Sequence, residues 1–201
     1  MRAGSLLCFF LVASSVAQAD FPTTPKASPY VAPEGRALLV FDRPRKRLSE
    51  ELVFSIVNER GECVGVLGNG WKIVVPVRPS TQTLLIVTGV AQPQVQLLKV
   101  KPTAGNTYVI RMRPRVDRKA PVELTIVRKG DQPLEAFPGS ILESSPFRPN
   151  LDDCSAWVRS RRSKLTDKAS AARREWNSDE ELRSSQTVQR VDGWTERDIL
   201  P

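Results

Sequence analysis

The residue types able to do chemistry in this chain are few, and their spacing narrows them further. None of the 201 residues is histidine. That excludes a Ser-His-Asp triad, a Cys-His pair and any zinc site containing an imidazole, and it removes the side chain that titrates near neutral pH. No Gly-x-Ser-x-Gly motif marks a nucleophilic serine. The carboxylates are scattered. Glu50-Glu51 precede an apolar segment, and Asp152-Asp153 sit where a helix begins and complement its dipole. The stretch from Asn58 to Glu62 lacks the spacing of a calcium loop. Gly68-Asn69-Gly70 reads as a turn with no phosphate-binding helix after it. No cofactor is expected, no metal site, and no catalytic residue.

Two arginine groups stand out instead. Arg43, Arg45 and Arg47 surround Lys46 in one, and Arg111, Arg113 and Arg115 alternate along one segment in the other. Placed side by side, they would form a surface for an anion such as a lipid headgroup or an envelope polymer. The alternative is a solvated strand face whose arginines guard a sheet edge against aggregation. Charge is uneven along the chain. The formal net charge is +8, yet residues 151–201 hold ten basic and ten acidic residues, so the excess belongs to the segment before them. Nucleic acid is not an expected partner, because few aromatics interleave with the arginines and the N-terminus directs the chain to export.

That N-terminus has Arg2, an apolar run from Leu6 to Val12, and Ala17-Gln18-Ala19 before Asp20. This is the pattern of a secretory signal cleaved after Ala19, giving a secreted or periplasmic protein with no transmembrane segment. Cleavage removes Cys8 and leaves Cys63 and Cys154. Two cysteines in an oxidising compartment predict one disulfide, with two free thiols or a bond to another chain as the alternatives. Closing so long a loop is worth about 4 to 5 kcal/mol in the chain-entropy account.

The elements that must carry these residues are mostly strands. In Gly105-Asn106-Thr107-Tyr108-Val109-Ile110-Arg111-Met112-Arg113, Tyr108, Ile110 and Met112 share one face, and Thr107, Val109, Arg111 and Arg113 the other. That period of two, opened by glycine and closed by Pro114, predicts a half-buried antiparallel strand. Similar segments lie at Ala37–Phe41, Leu52–Val57, Cys63–Leu67, Trp71–Val75, Thr83–Thr88, Gln94–Val100 and Pro121–Val127. The turns Asn58-Glu59-Arg60-Gly61 and Gly68-Asn69-Gly70 carry a hairpin signal. Pro76 places its strand near an edge or an end. The fold class predicted is mainly β: an antiparallel, Ig-like β-sandwich of seven or eight strands over 36–128, followed by a C-terminal α-helical segment.

Residues 20–35 are read as a proline-rich linker unable to pack a core, and 129–150 as a loop wrapping the sandwich. Asn150 is a helix cap. Cys154, Val158, Leu165, Ala169, Ala172 and Trp176 make a narrow apolar stripe on one helix from 151 to 176, with Arg159, Arg161, Arg162, Arg173 and Arg174 mostly off it. Ser178-Asp179-Glu180-Glu181 restarts a shorter helix, and the tail from Trp194 to Pro201 is expected to be loose.

The strand-rich part resembles exported bacterial β-sandwich domains of the PEGA-like kind. The likeness rests on Ile56-Val57-Asn58-Glu59-Arg60-Gly61 before Val64-Gly65-Val66-Leu67, on Val77-Arg78-Pro79-Ser80 before Thr83-Leu84-Leu85, and on Ala104-Gly105-Asn106-Thr107-Tyr108. It departs at Ser80 and Gln82, where such domains often carry Gly and His. The resemblance implies an envelope-associated, non-catalytic role with no active-site residues. The expectation is therefore an exported binding or structural module whose partner is not identified, with an envelope protein or an anionic surface polymer as the candidate classes. An adaptor for anionic polymer or lipid is the second reading, and a carboxylate-dependent enzyme the third.

Overall fold

Alternation along each segment sorts its side chains to two faces, and the apolar faces meet. The computed structural model describes residues 30–45, 51–89, 91–115, 122–129 and 144–200. The expected leader and cleavage site, and Lys46 and Arg47, lie outside them. The strands are β1 (Ala37–Asp42), β2 (Phe54–Asn58), β3 (Cys63–Leu67), β4 (Trp71–Val77), β5 (Gln82–Thr88), β6 (Gln94–Val100), β7 (Thr107–Pro114), β8 (Val122–Val127), β9 (Ser145–Pro146) and β10 (Thr187–Val188). They form two five-stranded sheets, ordered β8-β7-β1-β4-β9 and β10-β6-β5-β2-β3. Between them lies one core. Leu39 and Phe41 of β1 and Tyr108, Ile110 and Met112 of β7 meet Phe54, Ile56, Leu84, Ile86 and Leu98 from the opposite sheet.

The fold is thus mainly β with a C-terminal helical segment, and two features of the sequence reading need correction. Among the described residues the sandwich has ten strands, and it is mixed rather than antiparallel. β1 pairs antiparallel with β4 but parallel with β7, Leu39 opposite Tyr108. The two short strands β9 and β10 also pair parallel, to β4 and β6. Alternation gives the side-chain period, which is the same for both senses of pairing; direction is decided by which strands meet across long stretches of chain.

The turns behave unequally. Asn58-Glu59-Arg60-Gly61 closes the β2–β3 hairpin, with Asn58 Oδ1 accepting from the backbone N–H of Arg60 and Glu62 at 3.0 Å each. Gly61 takes the left-handed φ of 79° that this turn needs. Gly68-Asn69-Gly70 does not make a hairpin, because β3 and β4 lie in different sheets. It is an arch over which the chain changes layer. β5, apolar on both faces, lies between β6 and β2 as a central strand. Pro76 lies in β4 opposite Leu38, beyond the short pairing with β9, where its missing N–H is harmless.

The C-terminal third covers both outer faces. Helices α1 (Leu151–Ser160) and α2 (Arg162–Ser178) lie on the β10-β6-β5-β2-β3 sheet. They are two helices where one was expected; the break is at Arg161, which has non-helical φ and ψ of −116° and 15°. Asn150 caps α1 as expected, accepting from Asp152 N–H at 3.0 Å. Asp179 caps α3 (Glu180–Ser185) through Leu182 N–H.

Beyond β10 the chain turns around the end of the sandwich and crosses the other sheet. The tail from Trp194 is not loose, contrary to the sequence reading. Trp194 is fully buried, exchanges backbone hydrogen bonds with Thr107 at 2.7 and 2.8 Å, and donates its indole N–H to Val127 O. A short helix α4 (Glu196–Ile199) then sets Ile199 beside it. Gly193 allows the close passage, since a Cβ there would stand 2.8 Å from the Tyr108 ring. Part of the supposed linker packs here too: Tyr30 and Val31 lie against Val40, Val109 and Trp194, and Thr107 Oγ1 donates to Tyr30 O at 2.6 Å.

Candidate functional site

The strand arginines do not share one exposed face. Arg43 follows Ala37, Leu39 and Phe41 on the core side of β1 and is fully buried at the end of the sandwich. Its guanidinium donates to Leu52 O and Leu67 O and lies 4.6 Å over the Phe54 ring. Burial lowers its pKa to about 10, so it stays cationic at neutral pH. Arg111 is on the opposite side of its sheet, bonded by Nε to the buried Asp42 carboxylate at 3.1 Å. Arg113 is half-buried beside Glu123, its partner in the β7–β8 register. Arg115 reaches the same Glu123 at 3.9 Å, and Arg45 is exposed beside Gly70.

The predicted cysteine pair is a disulfide. Cys63 on β3 and Cys154 on α1 are bonded with Cα atoms 5.9 Å apart, across 91 residues of sequence. β3 is an edge strand, so the bond ties α1 to the sheet's border. Around it Val57, Val87, Val158 and Leu165 form a small second core.

α2 continues from there along the sheet but does not lie flush on it. Its apolar stripe is thin: Leu165 is buried, while Ala169 and Ala172 are too small to fill the space below. A groove results, in two chambers of about 240 and 190 Å³. The first lies over Val57, Leu85, Val87 and Leu165, with Arg60, Arg162 and Arg173 at its border. The second is lined by Thr83, Leu97, Lys99, Trp176 and Asn177. Glu59 and Arg173 line both, and their side chains approach to 3.9 Å, so this exposed pair divides the groove.

Charge segregation makes the groove basic. The helical region is neutral in total, but eight of its ten acids lie off α2: Asp152 and Asp153 at the start of α1, Asp179, Glu180 and Glu181 at the start of α3, and Asp192, Glu196 and Asp198 in the tail; Asp167 and Glu175 are on α2 but line neither chamber. Arg60 and Arg162 are exposed and have no ion-pair partner among the described residues. In the second chamber Trp176 has Lys99 Nζ 5.4 Å and Arg183 Cζ 5.9 Å from its ring. Its indole N–H is shielded from water and has no acceptor among the described residues.

The sequence placed Trp176 on a helix stripe, and it lines the groove; Arg162 and Arg173, read as mostly off that stripe, line the groove as well. It did not join them to Glu59, Arg60 and Lys99. The usable signal was the pair of alanines in the stripe, which leaves a helix standing off its sheet. No family model matches the chain, and no curated protein matches it.

Proposed function

We propose that this chain is an exported, non-catalytic binding module of the bacterial envelope, similar in kind to PEGA-like sandwiches, which holds its ligand between α2 and the sheet. One observation carries the reading: a disulfide pins the helical layer at the sheet's edge while that layer stands over an open, cation-bordered groove. A bond of that kind persists in an oxidising compartment. It also holds one wall of the groove in place, which reduces the ordering cost of binding. Binding fits the groove better than catalysis does, because its one carboxylate, Glu59, is exposed and already faces Arg173. The arginines of the strands serve the fold in this reading: Arg43 closes the end of the core and Arg111 balances Asp42.

The test is fractionation of a bacterium expressing the full chain, with mass mapping of the product under non-reducing conditions. The expected product begins at Asp20, lies outside the cytoplasm and contains a peptide linked through Cys63 and Cys154. A cytoplasmic product with both thiols free overturns the reading.

A further inference from the structure

We infer that the groove beneath α2 takes an anionic amphiphile: a single acyl chain headed by a carboxylate or a phosphate. The inference rests on the proposed binding role and names its ligand class. Two chemistries meet in the groove. Its sheet floor is aliphatic, with half-buried Leu85 beside the buried Val57 and Val87, and buried Leu165 of α2 closes it from above; the apolar surface that stays open there is relieved of water by hydrocarbon. Its border holds Arg60, Arg162, Arg173 and Lys99 against the single acid Glu59. A neutral lipid would leave that excess of charge unanswered. A water-soluble polyanion would have no use for the floor. A chain with one anionic end satisfies both.

The position of the head follows from the divider. Arg173 and Glu59 are more than half exposed and 3.9 Å apart, a weak pair in high dielectric. An incoming carboxylate or phosphate competes with Glu59 for Arg173 and opens the two chambers into one. Lys99 adds its charge in the second chamber, beside the Trp176 ring. Glu59 is then a competitor for the arginine and Arg173 the primary anchor, so the two substitutions have opposite signs.

The experiment is calorimetry on the mature, disulfide-bonded chain, with decanoate, decyl phosphate, decanol, acetate and inorganic phosphate below their micelle concentrations. Decanoate or decyl phosphate is expected to bind, and the tighter of the two identifies the head. Decanol is expected to be about tenfold weaker, with acetate and phosphate silent. Arg173→Gln weakens decanoate by about tenfold, and Glu59→Gln tightens it a few-fold. Raising the salt weakens the wild type. Trp176→Phe keeps the aromatic wall, and in it most of the tryptophan fluorescence change on decanoate addition is lost.

Decanol binding as tightly as decanoate overturns the inference, as does indifference to Arg173→Gln in a chain that melts like the wild type. Binding of a glutamate-rich decapeptide in preference to decanoate would assign the groove to a protein partner instead. Failure of every amphiphile to bind removes the ligand class but leaves the exported module standing, because fractionation and thiol mapping decide that separately.

Discussion

The two outer faces of the sandwich are covered by one stretch of chain in two different ways. Over the β8-β7-β1-β4-β9 sheet the tail is sealed down. Trp194 is fully buried, backbone hydrogen bonds join it to Thr107, and ion pairs Arg128–Asp192 at 2.9 Å and Lys129–Asp198 fasten either side. Over the other sheet α2 is held at a distance, and the staple lies on α1 rather than α2. A large aromatic at the point of contact gives a closed interface; two alanines leave a groove. The sealed cover stabilises the molecule. The stood-off cover leaves space for something else to bind.

The contrast predicts unequal costs when each cover is damaged. Trp194→Ala should have the largest effect, about 3 to 5 kcal/mol by denaturant unfolding, because it empties the tail's anchor and frees the Thr107 pairing. A loss below 1 kcal/mol would mean that the tail is not a structural layer. Replacing both Cys63 and Cys154 by serine should cost about 2 to 4 kcal/mol. It should also raise amide exchange in α1 and α2 more than in α4, and equal rises would erase the distinction between the covers.

The smallest effect belongs to Asp198. Partial burial raises its pKa, but hydrogen bonds from Lys129 and Thr195 and the Lys129 charge outweigh that and hold it below the usual 3.8. Its contribution is therefore complete above about pH 4 and is lost as pH falls through the lower folded value. With both side chains in contact with water it amounts to less than about 1 kcal/mol. Asp198→Asn should flatten the acid limb of the stability curve by that amount. An unchanged limb would show that the ion pair adds nothing to the seal.

Much of the strand layer was legible before any coordinates. Tyr108, Ile110 and Met112 shared a face and face the core together. Asn150 read as a cap and caps. The groove was less legible because its members come from three separated places, the β2–β3 turn, Thr83 to Lys99, and α2. The tail was misread for a related reason. Trp194 has no apolar periodicity around it, and its burial depends on a slot between Val109 and Val127 on two other strands.

By itself the sequence determined what acts over a few residues: which side chains alternate to one face, where turns need glycine, and that imidazole chemistry is absent. Tertiary structure alone decided that β1 runs parallel to β7, that Arg43 turns inward while Arg111 turns outward, and that the tail closes one face while α2 stands off the other. The reason is range. Alternation and capping are set by neighbours along the chain, whereas pairing direction and the filling of a space depend on surfaces brought together from distant positions.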